Sequence, residues 1–534
     1  MTIRAVWLPS LCTFCTFAFI AASAPVRADS GNATWPSAGQ DLRNSRFQNA
    51  ENSISVSNVS SLAVKWTFTT HGDVSATPSV DGDHVYFPDW AGYLYALDRK
   101  TGALVWETKI EFASTVGNDV ARATPAIAGN KVIIGTQGGP EGGGGILLAF
   151  DKNTGALLWR TAPLEQHFAA AITQSANVQG DTVFIGVSSL EESLAALVPN
   201  YPCCSFRGSM LAVNANTGAI IWKTNTMPTA AGYSGGAVWG SSPAIDTKRG
   251  QVYIGTGNNY TVPPAVLACI VAAAGNPDQQ RACIPPDDHF DSIMALDLNT
   301  GAIRWATRVL PYDAWTVECV FGIFPGNVVN CPSPAGPDYD FAQAPALFSV
   351  RPGGNGEPIE LVGAGQKSGI YWALNPDTGA VVWKTVTGPG GVTGGLQWGS
   401  AVDGVRVYTA NSNSLNVPWT LPNATTTTNG IWSALDAATG QVIWQVTPPH
   451  GGATSGPATT ANGVVFGCSL DFQGYMYAMN AATGQILWSY PSGGSCLSGA
   501  AISRGTVYWG SGYSHLFGSP NNKFYAFALP GGGD

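Results

Sequence analysis

The sequence predicts an all-β protein, an eight-bladed propeller closed by an N-terminal strand, and three observations carry that expectation. The hexapeptide Thr-Gly-x-x-x-Trp occurs seven times, beginning at Thr101, Thr154, Thr217, Thr300, Thr378, Thr439 and Thr483. Each copy follows a short apolar run ending in Asp or Asn, as in Tyr93-Leu-Tyr-Ala-Leu-Asp98 and Trp432-Ser-Ala-Leu-Asp436. An eighth unit, 505–527, lacks the tryptophan strand, and a matching strand, Leu62-Ala-Val-Lys-Trp66, lies near the other end of the chain.

Each repeat reads as four strands. The first follows a Thr/Ser-Pro-Ala/Ser segment such as Ala123-Thr-Pro-Ala126 or Ser242-Pro-Ala244. The second is a β-branched run such as Val132-Ile-Ile-Gly135 or Val252-Tyr-Ile-Gly255, the composition that suits a buried strand. The third is the run ending in Asp or Asn, whose side chain can accept the N–H groups of the turn that follows. The fourth starts after Gly and ends in Trp. Four short antiparallel strands repeated at this period mean propeller blades. The repeats are 44 to 83 residues apart, more than a compact blade needs, so the surplus lies in loops on a face of the disc, where binding and lid segments usually sit. Pairing the N-terminal strand with the last blade removes both free sheet edges. The repeat overrides the prior of about 150 residues per domain and predicts one domain over 29–534. The recurring tryptophans, Trp106, Trp159, Trp222, Trp305, Trp383, Trp444 and Trp488, read as packing between blades, each able to donate its indole N–H to a backbone carbonyl.

Composition narrows the function. With 25 Lys plus Arg against 34 Asp plus Glu, the formal charge is −9 on a chain that is only 11% charged, which argues against a nucleic-acid partner. A chain with 65 Gly and 35 Pro that is also 45% hydrophobic and holds 18 Trp is folded, with many tight turns. Residues 1–28 carry Arg4, an uncharged apolar stretch from Ala5 to Ala24, and small residues suited to cleavage after Ala24 or Ala28, the pattern of a secretory signal peptide. No later run has the length and apolarity of a membrane span. The mature protein is expected to be periplasmic or secreted. Of ten cysteines, Cys12 and Cys15 leave with the signal. The remaining eight read as disulfides. Spacing does not determine their connectivity, but short loops suggest Cys269 with Cys283 and Cys319 with Cys331, leaving Cys468 with Cys496 and the adjacent Cys203 and Cys204 with each other. No Cys-x-x-Cys-His occurs, so there is no signal for covalently attached haem. Dinucleotide, P-loop, zincin and nucleophile-elbow motifs are absent in the contexts they need. The acidic pairs Asp287-Asp288 and Asp338-Tyr-Asp340 read as solvated loop residues.

The sevenfold Ala-x-Asp-x-x-Thr-Gly-x-x-x-Trp pattern, from about 35 to 529, resembles the tryptophan-docking propeller of the pyrroloquinoline quinone (PQQ) dependent alcohol dehydrogenases. Cys203-Cys204-Ser-Phe-Arg207, Tyr312-Asp-Ala-Trp315 and Asp338-Tyr-Asp-Phe341-Ala-Gln-Ala-Pro look most like the polyvinyl alcohol dehydrogenase branch. PQQ is a flat quinone with three carboxylates. It needs cations or donors for those carboxylates, a flat apolar surface, and a hard cation at the reactive carbonyl. The resemblance implies Trp239 as the floor beneath the ring and Arg122 as a carboxylate partner. It implies Thr173 and Ser175 as hydroxyl donors, and Lys367 as the cation at the quinone oxygens. For calcium it implies Glu191 and Asn258, with Glu192 and Asn259 as adjacent alternatives.

Two departures accompany the resemblance. The segment after the fourth blade, Pro311-Tyr-Asp313-Ala-Trp315-Thr316-Val-Glu318, has Thr where the better-known alcohol dehydrogenases carry a general-base Asp, so Asp313 or Glu318 is expected to take that role. Cys203-Cys204 falls in a third-blade insertion rather than the second blade, where it is expected to fold over the cofactor as a lid. The implied activity is oxidation of secondary alcohols, in polyvinyl alcohol-like polymers or diols, to ketones. Electrons would pass to a separate acceptor such as a periplasmic cytochrome c. The rival is a non-catalytic propeller acting as a binding or scaffold module, similar to propellers of outer-membrane protein assembly.

Overall fold

A computed structural model describes residues 1–2, 33–139, 143–321, 329–515 and 518–532. Apart from its first two residues, the expected signal peptide lies outside them. Eight antiparallel four-stranded blades follow one another in order, at 79–109, 126–160, 177–225, 244–308, 346–386, 401–446, 459–491 and 501–528. The last blade takes its outermost strand, Ala63–Thr69, from the N-terminal side, paired with Lys523–Ala528 from Ala63 opposite Ala528 to Thr69 opposite Lys523. The all-β ring and its closure stand as the repeat implies.

The conserved geometry of the rim follows from the hexapeptide. Asp98 Oδ1 accepts from the Lys100 and Thr101 amides and from the Thr101 hydroxyl, folding the turn that Gly102 completes. The seven repeat glycines sit at φ between +70° and +74°, where L side chains are strained. A Cβ at each would also strike the tryptophan of the preceding blade, as at Gly155 against Trp106 and Gly440 against Trp383. Packed on that glycine, the indole N–H reaches the next blade's turn: Trp106 donates to Lys152 O at 3.0 Å and Trp222 to Leu298 O at 2.9 Å, while Trp488, without such a glycine, donates to Leu62 O just before the closing strand at 3.0 Å. Trp66 of the closing strand does the same to Arg99 O at 3.3 Å. Trp383 is the exception, since its buried N–H finds no partner.

The N-terminal segment before the closing strand lies across the centre of the ring. Trp35 pairs with Val80 of the first blade. The carbonyls of Pro36, Leu42, Arg43, Ser45 and Arg46 then accept from Ile127, Ile245, Leu347, Val402 and Thr460, one in each of five further blades. Asn177 Nδ2 also reaches Leu42 O, and Gln48 Nε2 donates to Ile502 O, so the segment bonds the innermost strands of all eight blades.

Within each blade the connections from second to third strand, and from fourth strand to the next blade, emerge on one face because the strands alternate in direction. The long insertions are on that face. They include the helix Glu191–Leu197, the helices Pro264–Ala272 and Pro277–Cys283, and the short helix Glu318–Phe321. Disulfides join Cys269 to Cys283, Cys319 to Cys331, Cys468 to Cys496 and Cys203 to Cys204, the pairing that the short loops suggest. Among the described residues no helix is long and apolar enough to cross a membrane.

Candidate active site

Two connected cavities of about 640 Å³ and 270 Å³ open between the insertions, and Arg122, Trp239 and Lys367 line both. These three residues come from blades two, four and five. Trp239 precedes the first strand of its blade, and its ring faces the Lys367 ammonium at 5.3 Å and the Trp398 ring edge-on at 5.4 Å. Its Nε1 donates to Asp340 Oδ2 at 2.9 Å, which fixes the indole plane.

Lys367 Nζ lies 2.8 Å from Asp338 Oδ1 and 3.0 Å from Asp340 Oδ2. Burial works against its charge, but Asp338, Asp340 and Glu192 outweigh burial and hold the ammonium above its ordinary range. Asp340 is fully engaged, because Oδ1 also accepts from Asn258 N at 2.7 Å. Asp338 Oδ2 has no hydrogen-bond partner among the described residues. The acidic pair expected to be solvated is therefore buried, each residue less than a tenth exposed, and lines the smaller cavity. Sequence reading missed it because Asp-Tyr-Asp looks like any polar loop until Lys367, from another blade, is placed beside it.

The Asn258 amide donates to Asn259 O and Trp315 O, both at 2.8 Å, which leaves Oδ1 as its free group at the cavity. Asn259, the alternative, is turned away toward Asp288. Of the two glutamates, Glu192 lines the cavity and Glu191 does not. They open a helix, where successive side chains point about 100° apart, so only one of them can face the axis. Glu191 accepts instead from Ser205 N at 2.9 Å, Phe206 N at 2.8 Å and Tyr201 OH at 3.1 Å, with His167 Nε2 at 3.3 Å. Glu192 has no hydrogen bond among the described residues. Burial, with Asp340 and Asp313 adding to it and Lys367 opposing, pushes its carboxyl up to about 7.

The two residues expected to serve as base are not at the cavity. Asp313 is fully buried behind it, accepting from Asp338 N at 3.1 Å and Tyr339 N at 2.7 Å. Burial raises its carboxyl to about 6, against the pull of the Tyr339 N–H. Glu318 accepts from Val329 N at 3.2 Å and Asn330 N at 2.6 Å, closing the loop that the Cys319–Cys331 disulfide spans. Thr316 likewise donates to Asn330 O, so its side chain is no vacancy in a catalytic position. Both carboxylates are spent on backbone N–H groups that local sequence did not reveal as neighbours.

Arg122 is stacked on Trp398 at 4.2 Å from the ring centroid and has no hydrogen bond or ion pair among the described residues. Thr173 donates to Trp239 O at 3.3 Å, and Ser175 Oγ accepts from Thr124 N at 2.9 Å. Both line a small cavity beneath Arg122. Cys203 and Cys204 line none of these cavities. Their loop is tied to Glu191 through Ser205 and Phe206, one residue from the Glu192 that faces the site. Trp398 was also missed, although Leu396-Gln-Trp398-Gly-Ser400 repeats the Val238-Trp239-Gly-Ser241 pattern two blades further round the ring.

The PQQ_2 family model, described as outer membrane protein assembly factor BamB, matches residues 26–307 and 366–519. The chain belongs to this family. It is 31% identical over 437 residues to a polyvinylalcohol dehydrogenase of Sphingopyxis sp. (strain 113P3), covering 79% of this chain and 60% of that one. It is 28% identical over 544 residues to a polyvinylalcohol dehydrogenase of Pseudomonas sp., covering 93% and 77%. The chain thus spans between about three fifths and three quarters of these relatives. Its fold matches the quinohemoprotein alcohol dehydrogenase ADHIIG of Pseudomonas putida HK5 with a TM-score of 0.69 at 19% identity, over 95% of this chain and 81% of that one.

Proposed function

We propose that this propeller is a PQQ-dependent dehydrogenase that oxidises secondary alcohols, including polyvinyl alcohol-like polymers and diols, to ketones outside the cytoplasm. What supports it above all is the Lys367–Asp338–Asp340 cluster beside the Trp239 face, in a cavity that also holds an Arg122 without a counter-ion. The residues suit the cofactor: an indole plane for the ring, Arg122 for a carboxylate, Thr173 and Ser175 below it, and Lys367 for the quinone oxygens.

They suit a hard cation as well. Glu192 has no partner and Asn258 keeps a free Oδ1, both oxygen donors of the kind Ca²⁺ takes. Glu192, Asp338 and Asp340 bring three carboxyl groups to a cavity that Lys367 and Arg122 also line, a surplus of acidic groups that favours a cation. Among the described residues no three His, Cys, Asp or Glu side chains form a metal shell by themselves, and Glu192 and Asn258 are the residues that would hold such a cation. When bound, such a quinone would supply a hydride acceptor and the cation a Lewis acid, the first held by Arg122, Trp239 and Lys367 and the second by Glu192 and Asn258.

Asp338 replaces Asp313 and Glu318 as the general base, because its Oδ2 is free at the cavity while the other two are occupied. It takes the substrate hydroxyl proton, and Lys367 holds it in place. Thr393 and Gln397 give polar contacts in the larger cavity, while Val320, Leu415 and Leu470 give apolar ones, a mixture suited to hydroxyl-bearing hydrocarbon chains. Electrons then leave to a separate acceptor, for which a cytochrome c is the proposed partner.

The test is reconstitution of the purified protein with PQQ and Ca²⁺, followed by dye-linked oxidation of 2-alcohols and polyvinyl alcohol. Stoichiometric PQQ binding and dye reduction, lost in Glu192→Ala and Asp338→Asn, are the expected result. Absence of PQQ binding would overturn the reading and leave the binding or scaffold module that the family description also covers.

A further inference from the structure

Beneath Trp398, on the ring axis, lies a small cavity of about 50 Å³. Its walls are the residues just upstream of the first strand in seven of the eight blades, with Ala38 and Arg46 of the N-terminal segment as its floor. Two guanidiniums enter it, Arg46 and Arg122, and no carboxylate lines it. Arg46 is 2% exposed. Its Nη2 donates to Trp398 O at 3.0 Å, while Nε and Nη1 are buried with no partner among the described residues. Gly399 makes room for it, since a Cβ there would run into the guanidinium. Burial lowers both arginines, Arg46 to about 10, the mark of cations held without a counter-charge.

The hydroxyls around the cavity point the same way. Ser75 Oγ accepts from Trp90 Nε1 at 2.8 Å, Ser175 Oγ from Thr124 N at 2.9 Å and Ser241 Oγ from Ala344 N at 2.7 Å. Each hydroxyl is thus held as an acceptor by a fixed N–H, and its own proton is left to donate. None of the three protons has an acceptor among the described residues. The cavity presents cations and donors with nothing to receive them. Its volume admits about three to five water-sized atoms.

We propose that this axial cavity is an anion-binding site for one small carboxylate or halide, with Arg46 of the N-terminal segment as a binding residue alongside Arg122. The site exists without the cofactor. Its ligand has two sources, a free anion or a carboxylate arm of the quinone reaching past Arg122, and only the second rests on the function proposed above. Either one clamps the N-terminal segment to the blades from within.

The experiment starts with cofactor-free protein. Crystals soaked in bromide are expected to show an anomalous peak between Arg46 and Arg122. In solution, chloride exchanged at constant ionic strength for a bulky organic sulfonate is expected to raise Tm saturably. Arg46→Met should abolish that rise and weaken chloride by about tenfold or more, and Arg46→Lys should restore part of it. PQQ binding, followed by tryptophan fluorescence, separates the sources. Competition with chloride assigns the cavity to the cofactor's carboxylate, and simultaneous binding assigns it to a free anion. A bromide peak in a protein that binds no PQQ would keep this proposal and sink the dehydrogenase. No peak, no saturable change in Tm, and PQQ affinity indifferent to chloride and to Arg46→Met would overturn it.

Discussion

The rim and the axis of this ring are built on opposite principles. At the rim the blades repeat nearly one solution, seven glycines at positive φ with an indole packed on each, and every one of those indoles except Trp383 donates its N–H to the neighbouring turn. At the axis the blades diverge: Arg122 from the second, Glu192 from the third, Trp239 and Asn258 from the fourth, Asp338, Asp340 and Lys367 on either side of the fifth blade's first strand, and Trp398 from the sixth. A repeated contact stabilises every blade equally and so makes the ring. A chemical site needs different groups facing one another, so it is found where the repeat is broken.

The comparison can be broken most severely at the axis. Lys367→Ala leaves Asp338 and Asp340 buried without their cation. It is expected to lower kcat/KM of the reconstituted enzyme by about 10²–10³-fold, measured by dye reduction, with the ring still folded by circular dichroism. At the rim Trp106→Ala is expected to cost about 3–5 kcal/mol by denaturant unfolding, with the active-site residues untouched.

A finer contrast lies between neighbouring glutamates. Glu192→Gln should remove cation binding measured by calorimetry. Glu191→Gln keeps a carbonyl oxygen for the Ser205 and Phe206 amides and should weaken the cation no more than about tenfold. If the two variants lose the cation equally, the separation of their roles fails. Within the rim, Trp444→Phe forfeits the N–H bond to Ala481 O at 3.0 Å, whereas Trp383→Phe relieves an unpartnered N–H. The first should be the more destabilising by about 1 kcal/mol.

The smallest effect concerns the anchor of the N-terminal segment, Arg43 to Glu360 at 2.8 Å. The hydrogen bond from Lys248, with those from Arg249, depresses the Glu360 carboxyl to about 2. Its contribution is therefore complete above about pH 4.5 and fades as pH falls toward 2. Glu360→Gln should be less stable than the parent at neutral pH by no more than about 1 kcal/mol, with the gap in Tm closing in acid.

How far each part was legible follows from how local its cause is. Thr-Gly-x-x-x-Trp needs only its own turn and the next blade, so seven copies announced the ring, and the unpaired last blade announced the strand 63–69. Trp239, Arg122, Asn258 and Lys367, named from the resemblance, do line one cavity, and each sits at a marked place in its repeat. Between Glu191 and its neighbour Glu192 the sequence could not choose which faces the cavity, since adjacent residues at a helix start diverge by about 100° and only the helix orientation selects between them. Asp313 and Glu318 look like catalytic carboxylates in a row of letters. Their oxygens are taken by amides at 329–330 and 338–339, which no local pattern indicates.

By itself, then, the sequence determined the number of blades, the closure of the ring and the family to which the chain belongs, and its short loops suggested the disulfide partners. The tertiary structure alone decided which carboxylates stand free and which are occupied, that the segment 35–48 bonds all eight blades, and that Arg46 reaches a cavity at the axis that no carboxylate lines. Those outcomes depend on groups hundreds of residues apart meeting at one axis, and burial there turns an unremarkable charge into an unmet demand.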